Sequence, residues 1–149
     1  MKTASGGMSE DKVILDANVL VGLFDGDDVW HSRSESLMSE VREEGVFLDC
    51  VLNELFTVLY RRARDRGVKK NLTSLMDNIN KQVRRKGIFW AYPTVPHYYE
   101  DIISLIKEHQ GVLNFHDCLI AIVAREENIK KIVSFDKDFD KISWLERIE

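Results

Sequence analysis

The sequence has few cysteines, and none of its histidines stands at zinc-ligand spacing from them. The two cysteines, Cys50 and Cys118, each lie in an apolar stretch. This setting suits buried thiols in a reducing compartment and argues against the class of secreted, disulfide-stabilised domains. The histidine spacing likewise argues against a structural zinc site. We therefore expect a cytoplasmic protein that folds without disulfides.

The sequence also lacks a long apolar run and an internal repeat. Its longest apolar stretches, 19–24 and 119–124, are far shorter than the roughly 20 residues of a membrane-spanning helix. Residues 1–11 are mainly polar and have no apolar core of the kind found in secretion signals. We expect no membrane association, a disordered lead-in at 1–11 and a single domain at 12–149.

Short buried strands alternate with amphipathic helices in the remaining chain, and no hairpin signal separates them. Strands are predicted at 12–15, 46–48, 88–92, 131–134 and 144–148. Helices are predicted at 17–24, 30–44, 51–66, 71–86, 97–110 and 116–128. This order predicts an α/β fold in three layers, α/β/α, with a central and mainly parallel sheet of about five strands.

Charge is distributed unevenly along the chain. The formal net charge is -4, but residues 61–86 carry ten basic and two acidic side chains, which is +8 and leaves -12 for the rest. A basic face suits a phosphate backbone, and an acidic remainder suits a cation-binding pocket. The alternative for the basic segment is an ordinary solvated helix surface.

Four acidic residues stand where a predicted strand or buried helix begins or ends. Asp16 follows the first strand, Asp117 begins a helix that is apolar on all sides, and Asp136 follows a later strand. Glu54 shares a narrow polar stripe with Thr57 and Arg61 on an otherwise apolar helix, so this stripe should line a cleft. Each acid alone suits a structural role, as a helix cap, a surface residue or a turn residue.

Together, the four acids predict a metal site. In open α/β sheets the ligand site lies outside the carboxyl ends of the strands, where the fold can gather these residues. Grouped carboxylates repel one another unless a cation neutralises them. Oxygen ligands without histidine or cysteine favour Mg²⁺ or Mn²⁺ over zinc.

Four short motifs surround the four acids. They are VILDANVL at 13–20, NEL at 53–55, HDCLIA at 116–121 and SFDKDF at 134–139. With these motifs in this order, the chain resembles the PIN-domain nucleases, a family that includes VapC-type toxins and RNA-processing endonucleases, and the resemblance extends over nearly everything after residue 12. The resemblance implies a five-stranded parallel sheet, dependence on Mg²⁺ or Mn²⁺, RNA cleavage, frequent homodimers and, for the toxins, an antitoxin partner.

The resemblance also implies residue roles. Asp16 and Asp117 correspond to the central metal ligands, Asp136 completes the site, and Glu54 binds a metal or orients the attacking water. By the same resemblance, Asn18 and Ser134 would contact the metal-binding carboxylates or a phosphate. Ala17 replaces the serine or threonine that many members carry, which removes one hydroxyl. Asp138 and Asp140 lie close enough in sequence to be alternatives to Asp136.

The basic segment is expected to hold flanking phosphates of the RNA without reading its sequence. The residues we assign to this role are Arg61, Arg62, Arg84, Arg85 and Lys86. Beside Asp117, His116 is interpreted as an ordinary residue at the start of a helix, because no partner for it is evident in the sequence.

Three other functions fit parts of the pattern. The main alternative is a catalytically silent PIN-like module that binds RNA or a protein. An aspartyl phosphatase would usually carry a second aspartate two residues after the first, where this chain has Asn18. A thiol hydrolase would need Cys50 or Cys118 to be accessible and activated by a base. The RNA target and the number of metal ions stay open.

Overall fold

The structure is a computed structural model that describes residues 12–149, with only the backbone described at positions 69 and 70. The lead-in predicted at 1–11 lies outside the described residues. Within them, none of the helices has both the length and the apolarity that a membrane crossing requires.

Five strands form the sheet: β1 (Lys12–Leu15), β2 (Glu44–Leu48), β3 (Ile88–Phe89), β4 (Lys131–Val133) and β5 (Glu146–Ile148). All neighbours pair in parallel, in the order β3-β2-β1-β4-β5. The central strand β1 pairs with β2 through Ile14 and Val46 and with β4 through Leu15 and Val133. The predicted parallel sheet is therefore confirmed, and β1 and β4 end side by side.

Six helices connect the strands: α1 (Ala17–Phe24), α2 (His31–Glu40), α3 (Asp49–Asp65), α4 (Lys69–Lys86), α5 (Val95–Glu108) and α6 (Phe115–Glu126). Short 3₁₀ turns lie at Tyr92–Thr94 and Lys137–Lys141. The first four helices link strands that progress toward one sheet edge, whereas α5 and α6 lead back across it. Right-handed crossovers then put the two groups on opposite faces of the sheet, which gives the predicted three layers.

The core forms where these layers meet. The apolar side chains of β1 are buried, and helix α6 is buried from Cys118 to Ala124. A helix that is apolar on all sides belongs inside the domain, so α6 is central and carries its first turn to the sheet edge. Helices α1 and α2 pack so closely that a Cβ on Gly22 would collide with the Ser34 hydroxyl.

Two predicted elements differ from the structure by more than two residues at one end. The predicted strand 88–92 ends at Phe89, because the Asp49 carboxylate accepts the backbone N–H groups of Ala91 (2.7 Å) and Tyr92 (3.2 Å). The predicted helix 30–44 ends at Glu40, because Val41 takes an extended backbone conformation. The strand that follows begins at Glu44, which pairs with Lys12 at the start of β1.

Candidate functional site

Asp16 occupies the junction between β1 and α1 and is only 6% exposed. Its Oδ1 accepts the N–H of Ala17 at 2.8 Å, which caps α1, and its Oδ2 accepts the Ser134 hydroxyl at 2.6 Å. Its own N–H donates to the carbonyl of Val133 at 3.0 Å. The ends of β1 and β4 therefore hold this carboxylate in one position.

Burial raises the pKa of Asp16 to about 6, against the opposing effect of the hydrogen bonds from Ser134 and Ala17; the negative charge of Glu54 adds to the increase. A carboxylate that only caps a helix does not need to be buried. A buried one disfavours its own charge unless a cation compensates. Asp16 thus has the environment expected of a cation ligand as well as that of a helix cap.

Ser134 and Asn18 link Asp16 to the segment after β4. The Ser134 hydroxyl is buried and accepts the N–H of Asp136 at 3.0 Å and an amide N–H of Asn18 at 3.3 Å. The carbonyl oxygen of the Asn18 side chain accepts the N–H of Phe135 at 3.2 Å. Both residues therefore orient the carboxylates of Asp16 and Asp136.

Glu54 on α3 faces His116 on α6. The Nε2 atom of His116 lies 3.1 Å from Oε2 of Glu54, but it is buried and makes no aligned hydrogen bond within the described residues. Contact with His116 lowers the pKa of Glu54. Burial disfavours the charged imidazole, yet the Glu54 carboxylate outweighs that effect and raises the pKa of His116. The interpretation of His116 as an ordinary helix-start residue is therefore wrong, because its partner comes from another helix.

Asp117 lies in the first turn of α6 and takes part in a capping box. It accepts the N–H of Asn114 at 3.2 Å, and Asn114 accepts the N–H of Asp117 at 2.9 Å. Burial raises the pKa of Asp117, and the nearby charges of Asp136 and Glu54 add to the increase. Asp117 therefore caps α6 and also lies close to the other carboxylates of the site.

The three aspartates after β4 have different surroundings. Asp136 accepts the N–H of Asp138 at 2.9 Å and lines a cleft. Asp138 instead pairs with Lys141 at 2.6 Å, and Asp140 pairs with Arg147 at 2.8 Å. Asp138 and Asp140 are not among the residues that line this cleft. The geometry thus favours Asp136 as the fourth acid.

This cleft has a volume of about 450 Å³ and contains all four predicted acids. It also contains the polar stripe of α3, whose members Glu54, Thr57 and Arg61 all line it as predicted. The other lining residues come from α1, α3, α6 and the turns beside them. The complete set is Asp16, Asn18, Asn53, Glu54, Thr57, Val58, Arg61, Asn114, His116, Asp117 and Asp136.

Three of these side chains fit a metal ion. One ligand atom each from Asp16, Glu54 and His116 lies within 4.8 Å of the other two. An octahedral ion with bonds of about 2.1 Å places neighbouring ligands about 3 Å apart and opposite ligands about 4 Å apart, so these atoms could share one ion after small side-chain movements. The ligands expected from the sequence were oxygens only, and the structure adds an imidazole nitrogen. Asp117 and Asp136 line the same cleft outside this group of three.

The basic residues proposed as RNA contacts are not all available. Arg61 lines the cleft, but Arg62 is held by Asp25 at 2.7 Å and Asp28 at 2.6 Å. The Arg62 guanidinium is therefore engaged in structural ion pairs, which compete with the phosphate contact predicted for it. The other three residues form the exposed last turn of α4 and lie outside the cleft lining: Arg84, Arg85 and Lys86.

Both cysteines are fully buried. Burial raises the pKa of the Cys50 thiol to about 12 and that of Cys118 to about 11. Such thiols are almost entirely protonated at neutral pH and are poor nucleophiles. The thiol hydrolase alternative has no support from this geometry.

The parallel sheet and the acid-lined cleft at its carboxyl edge define an α/β protein whose clustered carboxylates could hold a metal ion. Residues 13–145 match the family model of the PIN domain. The chain therefore belongs to the PIN-domain family. This membership confirms the family that the four motifs indicated.

Relatives agree with this assignment. The chain is 28% identical to "Ribonuclease VapC6" of Methanocaldococcus jannaschii over 95% of its own length and 99% of the relative's. Mycobacterium tuberculosis VapC20, described as a sarcin-ricin loop cleaving toxin, superposes with a TM-score of 0.67 at 17% identity, covering 89% of this chain and 96% of that one. VapBC2 from Rickettsia felis, bound to a promoter DNA fragment, gives 0.64 at 18% identity and covers 93% and 99%. These two structures share the fold.

Proposed function

We propose that this chain is an endoribonuclease that hydrolyses RNA phosphodiester bonds with Mg²⁺ or Mn²⁺, and that residues 12–149 form its single nuclease domain. The observation that carries the proposal is the convergence of Asp16, Glu54, Asp117 and Asp136 on one cleft, with Asp16 buried at its base. The sequence relative named a ribonuclease supports the choice of reaction.

In this proposal Asp16, Glu54 and His116 hold the metal, and Asp117 and Asp136 complete the site from the same cleft. When bound, the ion supplies charge neutralisation for the phosphate and a more acidic water molecule. The Ser134 hydroxyl donates to Asp16 and so directs the carboxylate's remaining lone pairs. The hydrogen bonds of Asn18 keep the segment that carries Asp136 against α1.

The substrate is expected to approach along the side of the cleft formed by α3. Arg61 lines this side, and its guanidinium can bind a phosphate next to the scissile one. The exposed last turn of α4 adds three positive charges that attract the RNA backbone without sequence preference. Arg62 supports this surface indirectly because it anchors the turn after α1.

A toxin-antitoxin context is part of the proposal. The sequence relative carries a VapC name, one structural relative is described as a toxin, and the other is a VapBC complex. By analogy we propose a cytoplasmic protein that pairs with an antitoxin protein and forms a homodimer. Co-purification with the product of a neighbouring gene, together with the molar mass in solution, would test these partners.

Cleavage of a structured RNA tests the reaction. Wild-type protein is incubated with the RNA in Mn²⁺, in Mg²⁺ and in chelator, and the products are separated by length. Internal cleavage that needs the metal and disappears in Asp136→Asn supports the proposal. Asp138→Asn is the matched control, because it changes an acid of the same turn that does not line the cleft and pairs with Lys141.

The main alternative predicts another outcome of the same experiment. A catalytically silent module would bind the RNA, leave it intact under every metal condition and show no Mn²⁺ binding by calorimetry. That combination of results would replace the nuclease proposal.

A further inference from the structure

An aromatic pair stands beside the acidic cleft. The rings of Trp30 and Phe135 stack with centroids 4.8 Å apart and an interplanar angle of 23°. Phe135 is partly buried and packs against the core, but Trp30 remains 50% exposed. One ring is therefore rigidly supported and still presents a large part of its surface to solvent.

Phe135 connects this pair to the cleft. It stands between Ser134, which hydrogen-bonds to Asp16, and Asp136, which lines the cleft. Its N–H donates to the side chain of Asn18, another lining residue, at 3.2 Å. The backbone at Phe135 is thus bonded to the cleft lining, and Trp30 stacks on the Phe135 ring just outside that lining.

The loop that carries Trp30 is fixed from a second direction. The N–H of Trp30 donates to Oδ1 of Asp28 at 2.8 Å, and Oδ2 of Asp28 accepts a bond from Arg62 at 2.6 Å. Arg62 follows Arg61, which lines the cleft. The loop of Trp30 is therefore tied to α3, the helix that also carries Arg61, and its ring is held by Phe135.

Exposure of the Trp30 ring to water is unfavourable for the folded protein when no partner is bound. A tryptophan buries a large apolar area when it is used for packing, yet half of Trp30 is left uncovered and its neighbour Val29 is 91% exposed. Nucleic acid bases stack on such aromatic surfaces regardless of their identity, because every base has a π-face. Unpaired bases offer that face, whereas bases inside a duplex do not.

We propose that Trp30, supported by Phe135, is a stacking platform for an unpaired base of the RNA whose backbone enters the acidic cleft. The inference rests on the proposed function for the identity of the ligand as RNA. It makes the site prefer single-stranded regions at one position beside the scissile bond. The platform adds affinity and orientation without reading the base, and Arg61 would hold a phosphate nearby.

Binding without metal tests the platform separately from cleavage. A fluorescent single-stranded RNA of uniform sequence is titrated with protein in chelator, and anisotropy gives the dissociation constant. Trp30→Ala should weaken binding roughly 5- to 100-fold, which is the usual range for loss of one stacked base. Trp30→Tyr should retain most of the affinity, since it keeps an aromatic ring.

An abasic RNA of the same length separates stacking from phosphate contacts. Its affinity should be the same for wild type and Trp30→Ala. Trp90→Ala is the matched control for loss of an exposed tryptophan, because Trp90 is 60% exposed but follows the edge strand β3, three positions in the sheet from β4, the strand that leads to Phe135. It should leave both affinities unchanged.

Two results would overturn the platform: equal affinity of wild type and Trp30→Ala for the intact RNA, or equal loss for the intact and abasic RNAs. Melting curves of both alanine variants and the behaviour of Trp30→Tyr exclude misfolding as the cause of a loss. A failure of the nuclease proposal would look different, because RNA would stay uncleaved in Mn²⁺ while the base-dependent effect of Trp30→Ala persisted.

Discussion

Replacing Asp16 with asparagine should stabilise the metal-free protein at neutral pH. The pKa of this carboxyl is 3.8 ordinarily and about 6 in the folded state. Because the folded state binds the proton more tightly, its stability falls as pH rises between these two values. The loss amounts to about 3 kcal/mol at pH 7, at about 1.4 kcal/mol for each pKa unit. An uncharged asparagine at position 16 does not lose this stability as the pH rises.

Part of this gain is offset by the Ser134 hydroxyl. It donates to Asp16 and already accepts N–H groups from Asp136 and Asn18. An asparagine amide facing it would leave the hydroxyl proton without an acceptor, which costs about 1 kcal/mol. Asparagine still caps the helix. The net expectation for Asp16→Asn is a gain of about 2 kcal/mol near pH 7.

Asp25→Asn is the matched control, because the same substitution should lower the stability at this position instead of raising it. Burial works against ionisation of Asp25, but hydrogen bonds from Arg66 and Arg62 outweigh it and lower its pKa to about 2. The stability that this lowered pKa contributes is present above pH 3.8 and is lost as pH falls toward 2. Asp25→Asn should therefore destabilise the protein by about 2 kcal/mol at pH 7.

Urea unfolding in chelator measures all three proteins at pH 7 and near pH 4. The advantage of Asp16→Asn should disappear near pH 4, because Asp16 is then protonated in the folded wild type. The defect of Asp25→Asn should persist at that pH. A loss of stability in Asp16→Asn at both pH values would refute the reasoning, since it would mean that the carboxylate acts only as a cap.

Three further predictions concern metal and RNA. Mn²⁺ should raise the melting temperature of the wild type through binding to the folded state, and an unchanged melting curve at millimolar metal would contradict the site. Replacing His116 with asparagine should weaken Mn²⁺ binding about 10- to 100-fold in a calorimetric titration. If the variant binds Mn²⁺ with the wild-type affinity, His116 is not a metal ligand. Charge reversal of the last turn of α4 should weaken RNA binding and flatten its salt dependence, unlike reversal of Lys107 on α5. Equal effects of the two reversals would show that the last turn of α4 is not a dedicated RNA-binding surface.

Much of the fold follows from local patterns. The strands β1 and β4 are short apolar runs, each followed directly by a polar residue, and α6 is apolar on every side. Such patterns depend on near neighbours only. The early end of β3 cannot be predicted from near neighbours. It depends on the Asp49 carboxylate, which stands 42 residues before Ala91.

The same distinction explains the site. Asp16 and Asp136 could be placed at one edge because parallel strands end together. The contact between Glu54 and His116 joins α3 to α6, and neither residue's own helix indicates it. Arg62 resembled a free cation because its partners Asp25 and Asp28 lie 37 and 34 residues earlier. Pairings of this kind depend on how the helices pack, which hydrophobic periodicity leaves undetermined.

The central claim is that the cleft acids hold a metal ion that RNA cleavage requires. The most direct measurement is the cleavage rate of Asp16→Asn and Asp117→Asn at saturating Mn²⁺. Both substitutions preserve shape and capping while removing charge that the cation requires. The account predicts that both variants fold, that Asp16→Asn is the more stable without metal, and that neither cleaves RNA. Cleavage at the wild-type rate by either variant would contradict it.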